Sequence, residues 1–213
     1  MAILDYIELL LSHLLSPFHT HDTRLFTASP AFTTHPTPTI PLNSPSCGPS
    51  TSTMQPHYTQ LGSDLFPTLT WPPPSPSTKE YILICEDADM PLPGPIAQKM
   101  FHGLYYSIAA RTVSISASDF EIMSRREDGK GGDVKGGWKY TTNMRGRAYA
   151  GPKPVLGHGP HRYFYQLVAL GEPLDLGKMG GAPSKARLAE EIEGKVVGWG
   201  VWVGVFERKW SER

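Results

Sequence analysis

Four short apolar runs set the pattern of the chain. Tyr81-Ile82-Leu83-Ile84-Cys85 is continuous, as in a strand buried on both faces. Leu104-Tyr105-Tyr106-Ser107-Ile108 forms a second run, and Tyr163-Phe164-Tyr165-Gln166-Leu167-Val168-Ala169-Leu170 a third. In the fourth, Val196 to Phe206, the residues Trp199, Val201, Val203 and Val205 interleave with Gly198, Gly200 and Gly204. Period two with glycines on one face predicts a strand over which another segment packs closely. A shorter alternating strand is expected at Leu69 and Trp71, stopped by Pro72 to Pro74.

Helical signals are fewer. Ile3, Ile7, Leu10 and Leu14, widened by Leu11 and Leu15, predict an amphipathic helix over residues 3–15 that Pro17 ends. A helix this short is marginal alone, so its apolar stripe is expected to dock on the β-body, on a second subunit or on a membrane. The absence of Lys and Arg disfavours the last. Ser184 as N-cap, Ala186 to Ile192 as body and Gly194 as stop predict one later helix.

Two segments read as irregular. Residues 28–60 are rich in Pro, Ser and Thr and suit an extended surface arm, with PTIPLNSP as one edge strand; firm order is expected from Leu65. Residues 124–147 contain RREDGKGGDVKGG and read as a mobile linker, since GKGG lacks the spacing and following helix of a phosphate loop. The fold class is therefore mainly β, an antiparallel β-sandwich with a few peripheral helices. Residues 1–35 are expected to form a helix and arm, 36–208 the domain and 209–213 a tail.

Charge narrows the partners. Twenty basic and twenty acidic side chains cancel, so no long-range field gathers nucleic acid or an anionic membrane. Asp5 and Glu8 stand where a signal peptide needs positive charge, and the leading apolar stretch is too short to span a bilayer. The expectation is a cytoplasmic protein without stable membrane insertion, with Cys47 and Cys85 as ordinary thiols.

Ionisable residues lie at the ends of three apolar runs. Asp87 and Asp89 follow the first, His102 precedes the second, and His161-Arg162 precedes the third. If those strands are neighbours, these groups converge on one rim of a sheet. Taken singly, the aspartates of EDADMP read as turn carboxylates and His102 as a packed histidine. No H-x-x-x-H spacing supports a metal site, and no G-x-S-x-G elbow supports a hydrolase. No cofactor is expected. Residue types alone stop at a candidate pocket.

Three segments together resemble the phosphatidylethanolamine-binding protein (PEBP) family, which includes Raf-kinase-inhibitor-like and bacterial members. Asp87-Ala88-Asp89-Met90-Pro91 is similar to its D-P-D-x-P signature, and Phe101-His102-Gly103-Leu104 to its histidine-bearing strand. Gly151-Pro152-Lys153-Pro154, continuing through Gly157 to His161-Arg162-Tyr163, is similar to its G-P-x-P-x-G-x-x-x-H-R-Y signature. The resemblance covers residues 36–208 and looks nearest to the fungal branch. It implies an anion pocket lined by Asp87, Asp89, His102, Gly151, Pro154, His161, Arg162 and Tyr163, with the aspartates holding the histidine tautomers.

Departures from the family pattern reshape that expectation. Ala88 replaces the first proline, which predicts a trans bond there and leaves Met90–Pro91 as the candidate cis bond. Lys153 and Val155 alter the rim. The family's animal C-terminal helix has no counterpart after the last strand, so the pocket is expected to be more open, or covered by the N-terminal helix or the 124–147 segment.

Three functions compete. The resemblance to proteins that accompany fungal maleidride pathways suggests a dimerising cyclase, or its helper, acting on maleic-anhydride polyketide monomers. There His102, His161, Asp87 and Asp89 would be catalytic and a small anionic molecule the partner. The alternative is a non-catalytic binder of lipid head groups or anions that regulates a kinase or protease. The third is a scaffold that assembles, for example as a homodimer, through its N-terminal helix.

Overall fold

A computed structural model describes residues 3–15 and 21–210, without the side chains of residues 3–5, 9 and 11. In chain order its helices are α1 (Ile3–Leu15), α2 (Gly94–Ala97), α3 (Leu176–Met179) and α4 (Lys185–Glu191). Its first strands are β1 (Ser52–Thr53), β2 (Leu69–Thr70), β3 (Glu80–Asp87), β4 (Gly103–Ala109) and β5 (Ser114–Ile115). Then follow β6 (Ile122–Arg125), β7 (Gly131–Val134), β8 (Lys139–Thr141), β9 (His161–Leu170) and β10 (Val196–Phe206). Among the described residues, one sheet runs β1-β10-β9-β3-β4-β8-β7-β6, and a second pairs β2 with β5. All pairings are antiparallel except β1 with β10. The mainly β fold is as expected, with a small second sheet as the facing layer.

The continuous apolar run of β3 has its cause in two cores. Tyr81, Leu83 and Cys85 point into one, with Trp202, Tyr165 and Tyr105 from neighbouring strands and Leu69 and Ile115 from the small sheet. Ile82 and Ile84 point into the other, with Val168, Leu104, the α4 residue Leu188 and the helix's C-cap Ile192. Strand period two thus divides one sequence run between two hydrophobic layers.

The glycines of β10 have the expected packing partner. Residues 39–40 cross this strand, and the amides of Thr39 and Ile40 both donate to the Trp199 carbonyl. A Cβ on Gly198 would come within 2.8 Å of Thr39 Oγ1. The PTIPLNSP stretch follows the sheet here and pairs with β2 only at Asn43, as an isolated bridge to Thr70.

The later helix is also as expected. Ser184 Oγ accepts from the Arg187 amide at 3.2 Å, and Gly194 adopts φ +76°. Ser184→Ala is expected to cost about 1 kcal/mol, seen as a lower denaturation midpoint with an unchanged slope.

Three expectations are corrected. Residues 124–147 are not a loose linker: they hold the end of β6, all of β7 and all of β8. The ladder there uses backbone groups, and Gly131 and Gly132 sit where a Cβ would strike the carbonyls of Tyr140 and Ser124. The segment before Leu65 is not a surface arm either. Phe26, Ala31 and Phe32 are buried in the second core, carried on short 3-10 turns. Finally, no cis peptide occurs among the described residues, so Met90–Pro91 is trans along with Asp87–Ala88.

Helix α1 does dock on the β-body, but with three residues of its apolar stripe turned outward. Ile7, Leu10 and Leu14 are 49%, 66% and 67% exposed, whereas Ser12 is fully buried. The contact includes Glu8, which accepts from the Leu156 amide and pairs with Arg208 at 2.5 Å, and Tyr6, whose ring centroid lies 5.6 Å from that of Trp210. The expected stop at Pro17 lies outside the described residues. No helix among those residues is long and apolar enough to cross a membrane.

Candidate functional site

The register of the central strands brings three chain ends together. Cys85 lies opposite Gly103 and Asp87 opposite Tyr163, so the end of β3 meets the starts of β4 and β9 at one rim. A cavity of about 110 Å³ opens there. Its lining includes Asp87, His102, Pro154, His161 and Tyr163, with Arg145 and Lys153 as cations and Met90, Met100 and Met144 as apolar residues. Compared with the roughly 300–1,000 Å³ of sites for drug-sized ligands, this volume suits the head of a molecule.

His102 is fixed through backbone groups. Its amide donates to Cys85 O, its carbonyl accepts from Ala150 N and Asn143 Nδ2, and its Nδ1 lies 2.5 Å from Ala150 O. A carbonyl can only accept, so Nδ1 carries the proton and Nε2 of the neutral ring is a bare lone pair. Nε2 is buried and has no hydrogen-bond partner among the described residues. Burial holds the His102 pKa below the ordinary histidine value, against the opposing pull of Asp87. The Tyr163 hydroxyl, also buried without a partner among those residues, has its pKa pushed well up, first by burial and then by Asp87. It is therefore a donor, stacked edge-on to the His102 ring at 5.0 Å.

His161 is held differently. Its Nδ1 lies 2.8 Å from Asp87 Oδ2, in a pair whose side chains are 1% and 4% exposed. Asp87 thus orients His161, as the resemblance implied, but His102 takes its tautomer from a carbonyl. His161 Nε2 in turn meets His158 Nδ1 at 2.8 Å.

Three of the expected residues do not line the cavity. Asp89 binds Arg162 through Nε, Nη2 and the backbone amide at 2.8–2.9 Å, and Arg162 continues to Asp22. That pair staples the strand ends beside the pocket, and its two carboxylates raise the Arg162 pKa. Gly151 lies behind the wall. Its amide donates to Asp64 Oδ1 at 2.7 Å, its carbonyl accepts from Gln60 Nε2, and a Cβ would lie 2.5 Å from Tyr58 O. Gly151→Ala is expected to push the 148–154 loop away from Tyr58 and cost about 1–3 kcal/mol, measurable by denaturation together with weaker ligand binding.

Sequence reasoning did not single out Gln60, Asp64, Asn143, Arg145 or His158. The first four come from segments that only the fold brings to the rim, and Asp64 even takes a left-handed φ of +55°. His158 had a visible signal, since it stands three residues before His161 in His-Gly-Pro-His. No group of three His, Cys, Asp or Glu among the described residues is arranged to hold a metal. Both cysteines are free.

Residues 45–207 match the family model "Phosphatidylethanolamine-binding protein". The chain is 37% identical over 212 residues to "Phomoidride biosynthesis cluster protein B" of Fungal sp. (strain ATCC 74256), covering 100% of this chain and 99% of that protein. It is 39% identical over 209 residues to the protein of the same name from Talaromyces stipitatus, covering 98% of this chain and 84% of that one. Among solved structures, a PEBP homologue from Chlamydia trachomatis superposes with a TM-score of 0.58 at 19% identity, covering 81% of this chain and 99% of the other. That last likeness concerns the fold alone. On the matched domain and the two full-length relatives, the chain belongs to the phosphatidylethanolamine-binding protein family.

Proposed function

We propose that this protein serves fungal secondary metabolism by binding a carboxylate- or anhydride-bearing monomer at the His102 cavity and promoting its dimerisation. The observation that carries the reading is the His102 lone pair: a buried, neutral, pre-oriented Nε2 with no partner among the described residues. A base of this kind suits removal of an acidic C–H proton next to an anhydride carbonyl. The full-length similarity to two proteins named "Phomoidride biosynthesis cluster protein B" supports the place in fungal secondary metabolism.

The chemistry balances without a cofactor. Nε2 takes a proton from the monomer, and the C–H electron pair becomes a dienolate. Its developing oxyanion is met by the Tyr163 hydroxyl and, at the mouth, by Arg145 and Lys153. The dienolate carbon attacks a second monomer, one C–C bond forms, and the imidazolium returns its proton to the adduct. The cavity takes one head group, so the second monomer sits in the open mouth beside the 69% exposed Met144. Holding the pair supplies the entropic part of the rate.

The test is incubation of the purified protein with a synthetic maleic-anhydride monomer, followed by chromatography of the dimers. An accelerated or redirected product distribution supports the reading. A distribution identical to the spontaneous one sinks it, and tight monomer binding without turnover would leave the non-catalytic binder as the better account.

A further inference from the structure

We propose that Asn143 is a positioning residue of the cavity, holding Arg145 at the mouth as the cation that takes the ligand's anionic group. The proposal rests on the reading of the cavity as an anion site, and adds which cation selects the ligand and what places it. Arg145 lines the cavity together with His102 and Lys153. Its guanidinium has no acidic partner among the described residues, whereas Arg147 pairs with Asp64, and Arg162 with Asp89 and Asp22.

Arg145 stands in a turn that Asn143 closes. The Gly146 amide donates to the Asn143 carbonyl at 2.9 Å, and the Asn143 amide donates to the Arg147 carbonyl at 2.9 Å. Gly146 takes φ +69°, a conformation that glycine adopts without strain. The Asn143 side chain adds three bonds. Its Oδ1 accepts from the amides of Arg145 at 2.9 Å and Arg147 at 3.2 Å, and its Nδ2 donates to the His102 carbonyl at 3.0 Å. Two donors on one side and an acceptor on the other leave the amide a single orientation. Asn143 is 6% exposed, as a side chain engaged with backbone groups should be.

The turn is tied to the base at both ends. The His102 carbonyl accepts from Asn143 Nδ2 and from the Ala150 amide, and the His102 ring bonds the Ala150 carbonyl. Residues 143–150 thus leave from His102 and return to it, and between those ties Met144 and Arg145 line the cavity. Base and cation share one frame. Burial is the main reason that His102 resists a proton, and the charge of Arg145 acts in the same direction. A guanidinium offers a planar fork that meets both oxygens of a carboxylate, which the ammonium of Lys153 does not. Met144, next in the chain and also at the cavity, suits the carbon chain that carries the acid. The ligand class is therefore a carboxylate on an apolar body.

The experiment titrates the full chain with maleate by calorimetry. Arg145→Met should weaken binding by roughly tenfold, the scale of one hydrogen bond to a charged group. Asn143→Ala should lose about as much, and the double variant no more than either alone. Asn143 itself borders the cavity, so the double variant separates the two roles: direct contact with the ligand would add to the Arg145 loss, and positioning would not. Two signals of the unmodified protein serve even if Asn143→Ala fails to fold. The Arg145 and Arg147 amides should exchange slowly with solvent, and maleate should shift the Arg145 Nε–H resonance. An Asn143→Ala protein with unchanged affinity would overturn the proposal, as would additive losses, freely exchanging amides or an Arg145 Nε–H signal that maleate leaves in place. If maleate does not bind the unmodified protein, the anion reading of the cavity fails together with this proposal, whereas binding with additive losses sinks this proposal alone.

Discussion

Replacing His102 with asparagine is expected to slow monomer dimerisation by about 10²–10⁴-fold, the usual contribution of a positioned general base. The asparagine amide can still donate to the Ala150 carbonyl, so the loop keeps its anchor while the lone pair is lost. The pH profile gives a second readout. Burial places the His102 pKa below the ordinary value near 6.5, so the base is already free at neutral pH. The rate should be flat around neutrality and fall on the acid side, and this acid limb should vanish in the variant. Stability follows the same sign. The folded ring resists a proton that the unfolded chain accepts, so its contribution is present above about pH 6.5 and is lost as the pH falls through that value. The asparagine variant should therefore show a shallower loss of melting temperature in acid. A variant that dimerises monomer at the original rate removes His102 from the chemistry.

Lys185→Met is expected to destabilise the protein by about 3–5 kcal/mol, the range for breaking a buried ion pair by removing one partner. Lys185 Nζ lies 2.5 Å from Glu86 Oε1 and 2.8 Å from the Arg24 carbonyl, with side chains only 11% and 5% exposed. Glu86 Oε2 accepts from the Phe26 amide and from Gln166 Nε2, both at 2.7 Å, and Gln166 Oε1 accepts from the amide and hydroxyl of Thr27. One carboxylate thus holds α4, the sheet and the 24–27 segment at once. Methionine keeps the length of the side chain and removes the cation, leaving Glu86 charged in a buried site. Adding Glu86→Gln to Lys185→Met should recover most of the loss, and a double-mutant cycle by chemical denaturation measures it. A single variant that loses under 1 kcal/mol would show that the pair is solvated.

How much of this was legible depends on whether the information was local. The four apolar runs became β3, β4, β9 and β10 because strand burial is written in adjacent residues. Ser184 and Gly194 marked α4 for the same reason. The meander of β6, β7 and β8 was not legible, since its close backbone approach requires glycines that otherwise signal a loop. Helix α1 showed an apolar stripe, yet Ile7, Leu10 and Leu14 stay exposed while Glu8 reaches the Leu156 amide and Arg208 and Tyr6 meets Trp210, distant partners that no local pattern could announce.

The site divides along the same line. Asp87, His102 and His161 were readable as a candidate pocket because each stands at the end of an apolar run, and the sheet register joins those ends, whereas Tyr163 came only from the family resemblance. Which aspartate serves which ring was not readable. Asp87 reaches His161, whereas Asp89, two residues on, turns to Arg162. Asp64 and Asn143 hold the rim from distant segments, through hydrogen bonds to Gly151, His102 and Arg147 that leave no pattern in the sequence.

The strand order also bears on how the chain is made. β9 lies between β3 and β10 in the sheet, yet β9 and β10 are the last strands in the chain. The Ile82 and Ile84 side of β3 waits for Val168, Leu188 and Ile192, all synthesised much later. At about 5–20 residues per second, that delay lasts seconds on the ribosome. Non-local pairing of this kind also slows refolding. During synthesis the half-built sheet offers its apolar faces to chaperones, and yield in the cell should depend more on translation speed and temperature than the stability of the finished molecule suggests.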